Sequence, residues 1–444
     1  MTSILYQGLK WILLHSGVNW ILQTGYSTTL LFFKNELPSH ASAAAYYFLL
    51  AIAPLTLAVI SIANMSLNGN PELVALLFAT LTQFNEQLNE DFFRGMGVIQ
   101  PRTAVSGLSL LGFLWISRLI VGAIQSAFGV IFPSTRCRGF FWSNLLSMVL
   151  VPGVLTLLML SSMINFLLRF LHEQIQDYDW LERIYNPLLS LSGAILPTIL
   201  VFGLIFICYR FLPLTRPSTR HAALGAALCT VTIFALKSTF INFVKITSYH
   251  IIYGSLSAVI LLLLWVYTVF LVFFLFAQFV YVAGRIDIIV LERIIAPRQV
   301  QNGFGQRLER SLFGPSCRVF MKYARCFAVG EQLFAQGQSS NEVYYLHQGR
   351  VAIFAQGATQ SVPVAVIEEG QIFGEMAYLL GTPRTAAARV CDGPAQLLVI
   401  PPHVFESLLE HSPAVSRKII AMLSQRLRHA TLRHAVPLDA PLDE

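Results

Sequence analysis

The chain has 444 residues, 55% of them hydrophobic and only 12% charged, with a mean hydropathy of +0.63. Soluble globular domains carry about 25% charged residues, so this balance excludes an ordinary soluble protein and points to a membrane one. The net charge is +7, but residues 285–444 hold 16 Lys/Arg against 14 Asp/Glu, so most of the excess lies on membrane loops. There it sets orientation rather than forming a nucleic-acid surface.

Taken in order, Trp11 to Phe33 carries no charge but is interrupted by His15, Asn19, Gln23, Thr24 and Gly25. Trp11, Leu14, Val18, Ile21 and Leu22 fall at helical spacing, which predicts an amphipathic helix lying on the membrane surface, a true span being the alternative. No cleavable signal peptide is expected, since a basic start, short apolar core and small-residue cleavage site do not follow one another here. The first span is Ala41–Ala63, rich in small residues early and containing Pro54. Small residues let helices approach closely in lipid, and neighbouring helices can satisfy the carbonyl that Pro frees. Residues 64–104 form a long mixed loop. Spans two to six are expected at about 105–132, 141–170, 187–211, 222–246 and 254–283, each with the roughly 20 apolar residues a bilayer needs.

Basic residues (Arg136, Arg138, Arg210, Arg216, Arg220, Arg285, Arg293) and acidic ones (Glu173, Asp177, Asp179, Glu182) fall on opposite sides of this six-span arrangement. The positive-inside rule then places both termini in the cytoplasm, in a multi-pass protein of the cell inner membrane. Arg118 and Lys237 fall inside spans, where a charge is costly and raises a functional hypothesis against simple packing or snorkelling. Asn165, Gln125 and Gln278 read as helix–helix hydrogen bonds. The six cysteines (Cys137, Cys208, Cys229, Cys317, Cys326, Cys391) are scattered without metal spacing and read as reduced thiols.

Three passages carry a resemblance. Ala41-Ser-Ala-Ala-Ala-Tyr-Tyr-Phe-Leu-Leu-Ala-Ile-Ala-Pro-Leu-Thr-Leu57 is one, Tyr209-Arg210-Phe211-Leu212-Pro213 another. Tyr253-Gly254-Ser255-Leu256-Ser257-Ala258-Val259-Ile260, leading to Leu264-Trp265-Val266-Tyr267, is the third and most specific. Over about residues 5–290 the chain resembles the YihY/BrkB family of inner-membrane proteins, once labelled ribonuclease BN. That resemblance implies six spans and a suggested transport role. The chain departs from the family at Phe234, where a Glu often precedes the lysine matching Lys237, and at Phe276-Ala277-Gln278, where Gly-Ala-Glu is common. Ion or proton coupling through those carboxylates is therefore not expected here. Nor is ribonuclease activity, because His and Asp form no cluster at metal spacing and the basic residues are dispersed.

Arg285–Ile295 is expected to continue as a helix out of the membrane, after which Pro297, Gly303, Gly305, Gly314 and Pro315 break regularity. Strand patterns follow. Val343–Leu346 and Val351–Phe354 around Gln348-Gly349 read as a hairpin, Val362–Ile367 and Gln396–Ile400 as further strands, and Pro402–Arg433 returns to a helical period.

Phe373-Gly374-Glu375-Met376-Ala377, running to Pro383-Arg384-Thr385-Ala386, is the most chemically specific passage. A glycine lets backbone approach a ligand, and a helix start favours an anion. Arginine offers a planar fork to phosphate oxygens, whereas a carboxylate can only accept, as from a sugar hydroxyl. Together they point to a phosphorylated sugar. With Gly330-Glu331, Phe334, Gly337, Tyr344, Leu346, Gly349 and Gly370, this passage makes residues 312–434 resemble the cyclic nucleotide-binding domain. The resemblance implies that Glu375 binds the ribose 2′-hydroxyl and Arg384 the cyclic phosphate, with Gly374, Met376, Thr385 and Ala386 completing the cradle. One departure is Gln336, where many members have Glu. Thr385 hints at cGMP and prevalence in bacteria at cAMP. Only Ala435–Glu444 follows the last helix, too short for a helix-turn-helix, so DNA binding is not expected.

The expected architecture is an α-helical membrane bundle of about six transmembrane helices (1–284), a linker (285–311), a soluble β-roll cyclic nucleotide-binding domain with flanking helices (312–434), and a tail (435–444). No catalytic constellation, metal site or cofactor is expected. The implied partners are the lipid bilayer and a cyclic mononucleotide, with a homo-oligomer left open. Two functions fit: a transporter or channel regulated by nucleotide, and a membrane-anchored nucleotide-binding scaffold without transport.

Overall fold

The computed structural model describes residues 16–66, 103–134, 197–246, 257–297, 312–313, 318–354 and 363–434. The chain divides into two compact units, one of Tyr26–Gly284 and one of Met1–Gly25 with Arg285–Glu444. The helices are α1 (Ser16–Lys34), α2 (Leu37–Ser66), α3 (Thr103–Ile131), α4 (Pro197–Phe211), α5 (Thr219–Ile246) and α6 (Ser257–Ile295).

In the first unit, each helix buries one stripe. Ile120, Ile124, Ala127, Phe128 and Ile131 of α3 recur at helical spacing and are buried, as are Ala222, Ala226 and Cys229 of α5. Small residues set how closely helices approach: a Cβ at Gly225 would collide with Val280 Cγ2 of α6. Tyr209 is fully buried and donates its hydroxyl hydrogen to the Phe273 carbonyl at 2.7 Å. Its neighbour Arg210 donates to the Pro217 carbonyl at 2.7 Å and so shapes the turn between α4 and α5. α2 runs as a helix through Pro54.

The outside of this unit is apolar. Ile199, Ile207, Phe211, Leu224, Leu228 and Val231 are all exposed, more large apolar surface than water tolerates, as expected of a protein surrounded by lipid. Among the described residues two helices, Thr219–Phe240 and Val259–Ile295, are long and apolar enough to cross a bilayer, and Ser117–Ile131 and Pro197–Phe211 are shorter apolar helices. The count of six spans is therefore not established by the helices. The third expected span, at 141–170, lies outside the described residues, as do residues 187–196 at the start of the fourth.

The expected helix in this stretch forms as α1. Its polar residues Asn19, Gln23, Thr24, Ser27 and Thr28 are buried, while Ile21 (63% exposed), Leu22 and Phe33 face outward. The helical period sorts the two faces, the polar one inward and the apolar one outward. Gln23 Nε2 donates to the Leu312 carbonyl at 2.6 Å. Gln278, read as a helix–helix contact, does accept a hydrogen bond, from Asn35 Nδ2 at 3.1 Å.

In the second unit, α6 kinks at Arg285 (φ −130°, ψ 20°) and continues to Ile295. After α7 (Arg318–Tyr323) come β1 (Ala324–Phe327), β2 (Gln332–Phe334), β3 (Val343–Phe354), β4 (Ala365–Ile367), β5 (Ile372–Phe373), α8 (Glu375–Leu380), β6 (Ala387–Ile400), α9 (Pro402–His411) and α10 (Pro413–His434). The strands form an antiparallel sheet ordered β1-β6-β3-β4, with β2 also on β6 and β5 on β3. The expected hairpin at Gln348-Gly349 is instead one continuous strand. Both halves of β3 pair with β6, Tyr345 with Leu398 and Ala352 with Arg389, and the register shifts between them. Gly349 (φ +101°) sits at that shift, where a Cβ would press on Ala395, so the glycine bends the strand rather than reversing it. Leu346, Val351, Phe373, Val390 and Leu397 fill the core. Ser412 ends α9 and starts α10: its N–H donates to the Leu408 carbonyl and its Oγ accepts from the Val415 N–H.

Candidate functional site

The site forms where β5 runs into α8. Gly374, at φ +77°, makes the left-handed turn between them, and a Cβ there would stand 2.8 Å from an Arg384 nitrogen. Only glycine suits both the dihedral and the space. Glu375 follows as the first residue of α8 and is fully buried. Its Oε1 accepts from Arg426 on α10 at 2.5 Å, while its Oε2 is buried with no hydrogen-bond partner among the described residues. Arg426 also donates to the Ile372 carbonyl at 2.6 Å, so it holds both sides of the turn. Burial pushes the Glu375 carboxyl above its ordinary pKa, with Arg426 and then Arg384 pulling it back.

Arg384 comes in from the other end of the loop, only 3% exposed. Its guanidinium lies 4.2 Å from the Phe334 ring centroid and 5.6 Å from that of Tyr344. Nε donates to Ser340 Oγ at 2.8 Å, and the two terminal nitrogens to the carbonyls of Gly374 and Glu342, each at 2.7 Å. All three acceptors are uncharged. A guanidinium has five N–H donors, so two stay available to an anion. A buried cation without an ion-pair partner among the described residues is costly, and an incoming anion would offset that cost. Burial lowers the Arg384 pKa, with Tyr344, Glu342 and Glu375 opposing. Burial likewise raises the Tyr344 hydroxyl to about 12, leaving it a neutral wall of the site.

The two residues that sequence singled out for sugar and phosphate are thus brought together, linked through Gly374. Met376 and Thr385 are exposed and Ala386 is half-buried. Arg118 and Lys237 lie in the other unit, both half-buried; the Arg118 guanidinium stands 6.0 Å from the ring centroid of Trp115, itself outward-facing. Sequence reasoning missed Arg426, Ser340 and Glu342. Arg426 had no signal, being one of several basic residues on a polar helix, and the other two contribute through a short hydroxyl and a backbone carbonyl. Among the described residues, no group of three His, Cys, Asp or Glu could hold a metal ion.

Comparison with known proteins gives two family matches. Residues 31–288, more than half the chain, match the family described as Virulence factor BrkB, and residues 324–412 match the Cyclic nucleotide-binding domain. A UPF0761 membrane protein of Tolumonas auensis is 27% identical over 260 residues, covering 56% of this chain and 82% of that protein. A cAMP-dependent protein kinase type II regulatory subunit of Drosophila melanogaster is 29% identical over 80 residues, covering 18% of this chain and 21% of that one. The crystal structure of Thermus thermophilus Catabolite Activator Protein is 28% identical, covers 25% of this chain and 52% of that chain, and has a TM-score of 0.23.

Proposed function

The chain belongs to the virulence factor BrkB family, and from that premise we propose that it is a nucleotide-regulated transporter or channel of the inner membrane. In this reading the membrane unit crosses the bilayer six times with both termini cytoplasmic, and residues 312–434 sense a cyclic mononucleotide. Glu375 accepts from the ribose 2′-hydroxyl, the remaining N–H groups of Arg384 bind the cyclic phosphate, and Gly374, Met376, Thr385 and Ala386 line the cradle. The observation that carries this is Glu375 Oε2, a buried carboxylate oxygen without a donor, close to a buried guanidinium whose hydrogen bonds all end on uncharged oxygens. A hydroxyl and an anion on one small ligand satisfy both. cAMP is the first candidate; exposed Thr385 could donate to a guanine, which makes cGMP the second.

A non-transport reading has its own support. Phe234 and Gln278 stand where related proteins often have carboxylates, which removes ion-coupling groups from the spans and favours an anchored nucleotide-binding scaffold. The two are separated by reconstituting the full chain in liposomes and measuring solute and ion flux with and without cAMP and cGMP. Flux that responds to nucleotide supports the transporter or channel. Nucleotide binding without flux across a broad solute panel leaves the scaffold, and no binding of either nucleotide overturns the sensing role itself.

A further inference from the structure

Arg426 and Lys418 both lie on α10, beyond residue 412, where the match to the nucleotide-binding domain stops. They are eight residues apart, roughly 12 Å along a helix axis. Arg426 grips the nucleotide loop from one end of this segment, through Glu375 Oε1 and the Ile372 carbonyl. Lys418, at the other end, donates to the Ile295 carbonyl at 2.6 Å. Ile295 is the last residue of α6, and its carbonyl is one of those a helix end leaves without an intrahelical partner. Tyr345 of β3 supports the same terminus: its hydroxyl donates to the Ile294 carbonyl at 3.2 Å, and its ring lies 5.5 Å from Lys418 Nζ. A cation at a helix C-terminus meets the negative end of the helix dipole, so this contact is favourable both as a hydrogen bond and as a charge.

We propose that α10 is a strut joining the nucleotide loop to the end of α6, with Arg426 as the positioning residue for Glu375 and Lys418 as the cap on α6. Arg426 takes only one carboxylate oxygen, which fixes the side chain and leaves Oε2 for the ligand. The nucleotide therefore adds to a loop that α10 already holds, and tightening there is passed along α10 to the carbonyls of Ile294 and Ile295. From these α6 runs back through the kink at Arg285 into its apolar portion. The ligand step of this proposal rests on the cyclic nucleotide reading above; the strut does not.

The test is amide hydrogen exchange on the full chain in lipid nanodiscs, for the wild type, Lys418→Met, Arg426→Gln and Arg426→Lys. Without nucleotide, Lys418→Met is expected to speed exchange about two- to fivefold at the end of α6 and also in residues 372–380, as loss of a charge at a helix C-terminus would. Arg426→Gln is expected to do the same at both places, and Arg426→Lys to restore most of the protection. If each substitution loosens only its own end, the strut is refuted. With cAMP or cGMP added, the wild type is expected to gain protection in 372–386 and at the end of α6, and Lys418→Met only in 372–386. A wild type unaffected by either nucleotide overturns the nucleotide reading, while the nucleotide-free comparison still decides the strut.

Discussion

Glu375→Gln separates ligand binding from folding better than any other single change at the site. The amide keeps the size and shape of the carboxyl but loses its charge. A hydrogen bond to a charged group contributes about 1.5–3 kcal/mol, so losing the ribose hydroxyl's charged acceptor should weaken cAMP binding roughly 10- to 150-fold. The lower end of that range is the better expectation, since the amide oxygen can still accept. Folding should change far less. The Arg426 side chain is 36% exposed, and ion pairs that reach solvent contribute about 0–1 kcal/mol. Removing a buried charge whose Oε2 has no donor offsets part of even that. The assay is titration calorimetry of the full chain in detergent with cAMP and with cGMP, paired with urea unfolding of the same samples. A folded Glu375→Gln variant that binds both nucleotides as tightly as the wild type would falsify the assignment of Oε2 as the ribose acceptor.

Arg384→Lys keeps a charge but not the fork, so at most part of the three-acceptor network to Ser340, Gly374 and Glu342 survives. Urea unfolding should show a loss of about 1–3 kcal/mol for each buried oxygen left unbonded, with weaker nucleotide binding in the fraction that folds. Arg384→Ala should weaken binding more strongly still; equal binding by that variant would remove Arg384 from the site. Gly374→Ala forces a Cβ into φ +77° and against Arg384, and should cost at least about 1–2 kcal/mol by the same measurement. The pH response follows from Glu375, whose carboxyl is raised from 4.5 in the folded state. The folded protein then holds this proton to higher pH than the unfolded chain, so its contribution to stability is fully present below 4.5 and is lost as pH rises through the folded value. Nucleotide binding needs the ionised form and should run the other way, falling as pH drops through that raised value. Calorimetry between neutral and mildly acidic pH checks this, and Glu375→Gln should flatten the profile.

Some of this was legible in the sequence because composition and local chemistry both speak there. Phe373-Gly374-Glu375 and Arg384 were found because a left-handed turn demands glycine and because fork and carboxylate differ in what they bind. A bend in β3 and a hairpin look alike in sequence because Gly349 signals a positive φ in either case. Only the pairing of both halves with β6, which is non-local, decides between them. A 3.6-residue period identifies two faces, but which one turns inward depends on the surroundings, and buried Thr24 and Ser27 show that the polar face does so in α1. Arg426 was invisible because its meaning lies in a partner 51 positions earlier in the chain.

The size of any coupling between nucleotide and α6 can be bounded from the contacts that would carry it. A ligand shifts an equilibrium only by its differential affinity for the two states. On the α6 side the contacts are two hydrogen bonds, Lys418 of α10 to Ile295 and Tyr345 of β3 to Ile294. At about 0.5–1.5 kcal/mol for the neutral bond and about 1.5–3 kcal/mol for the charged one, they total about 2–4.5 kcal/mol. That overlaps the upper part of the usual range of allosteric coupling free energies, about 1–3 kcal/mol or roughly 5- to 150-fold in affinity. It falls short of the about 5.5 kcal/mol needed to carry a two-state equilibrium from 1:99 to 99:1. Through these contacts a nucleotide would grade the state of α6 rather than switch it fully. Flux measured against nucleotide concentration in liposomes should therefore change by a limited factor, and an all-or-none response would require contacts beyond these two.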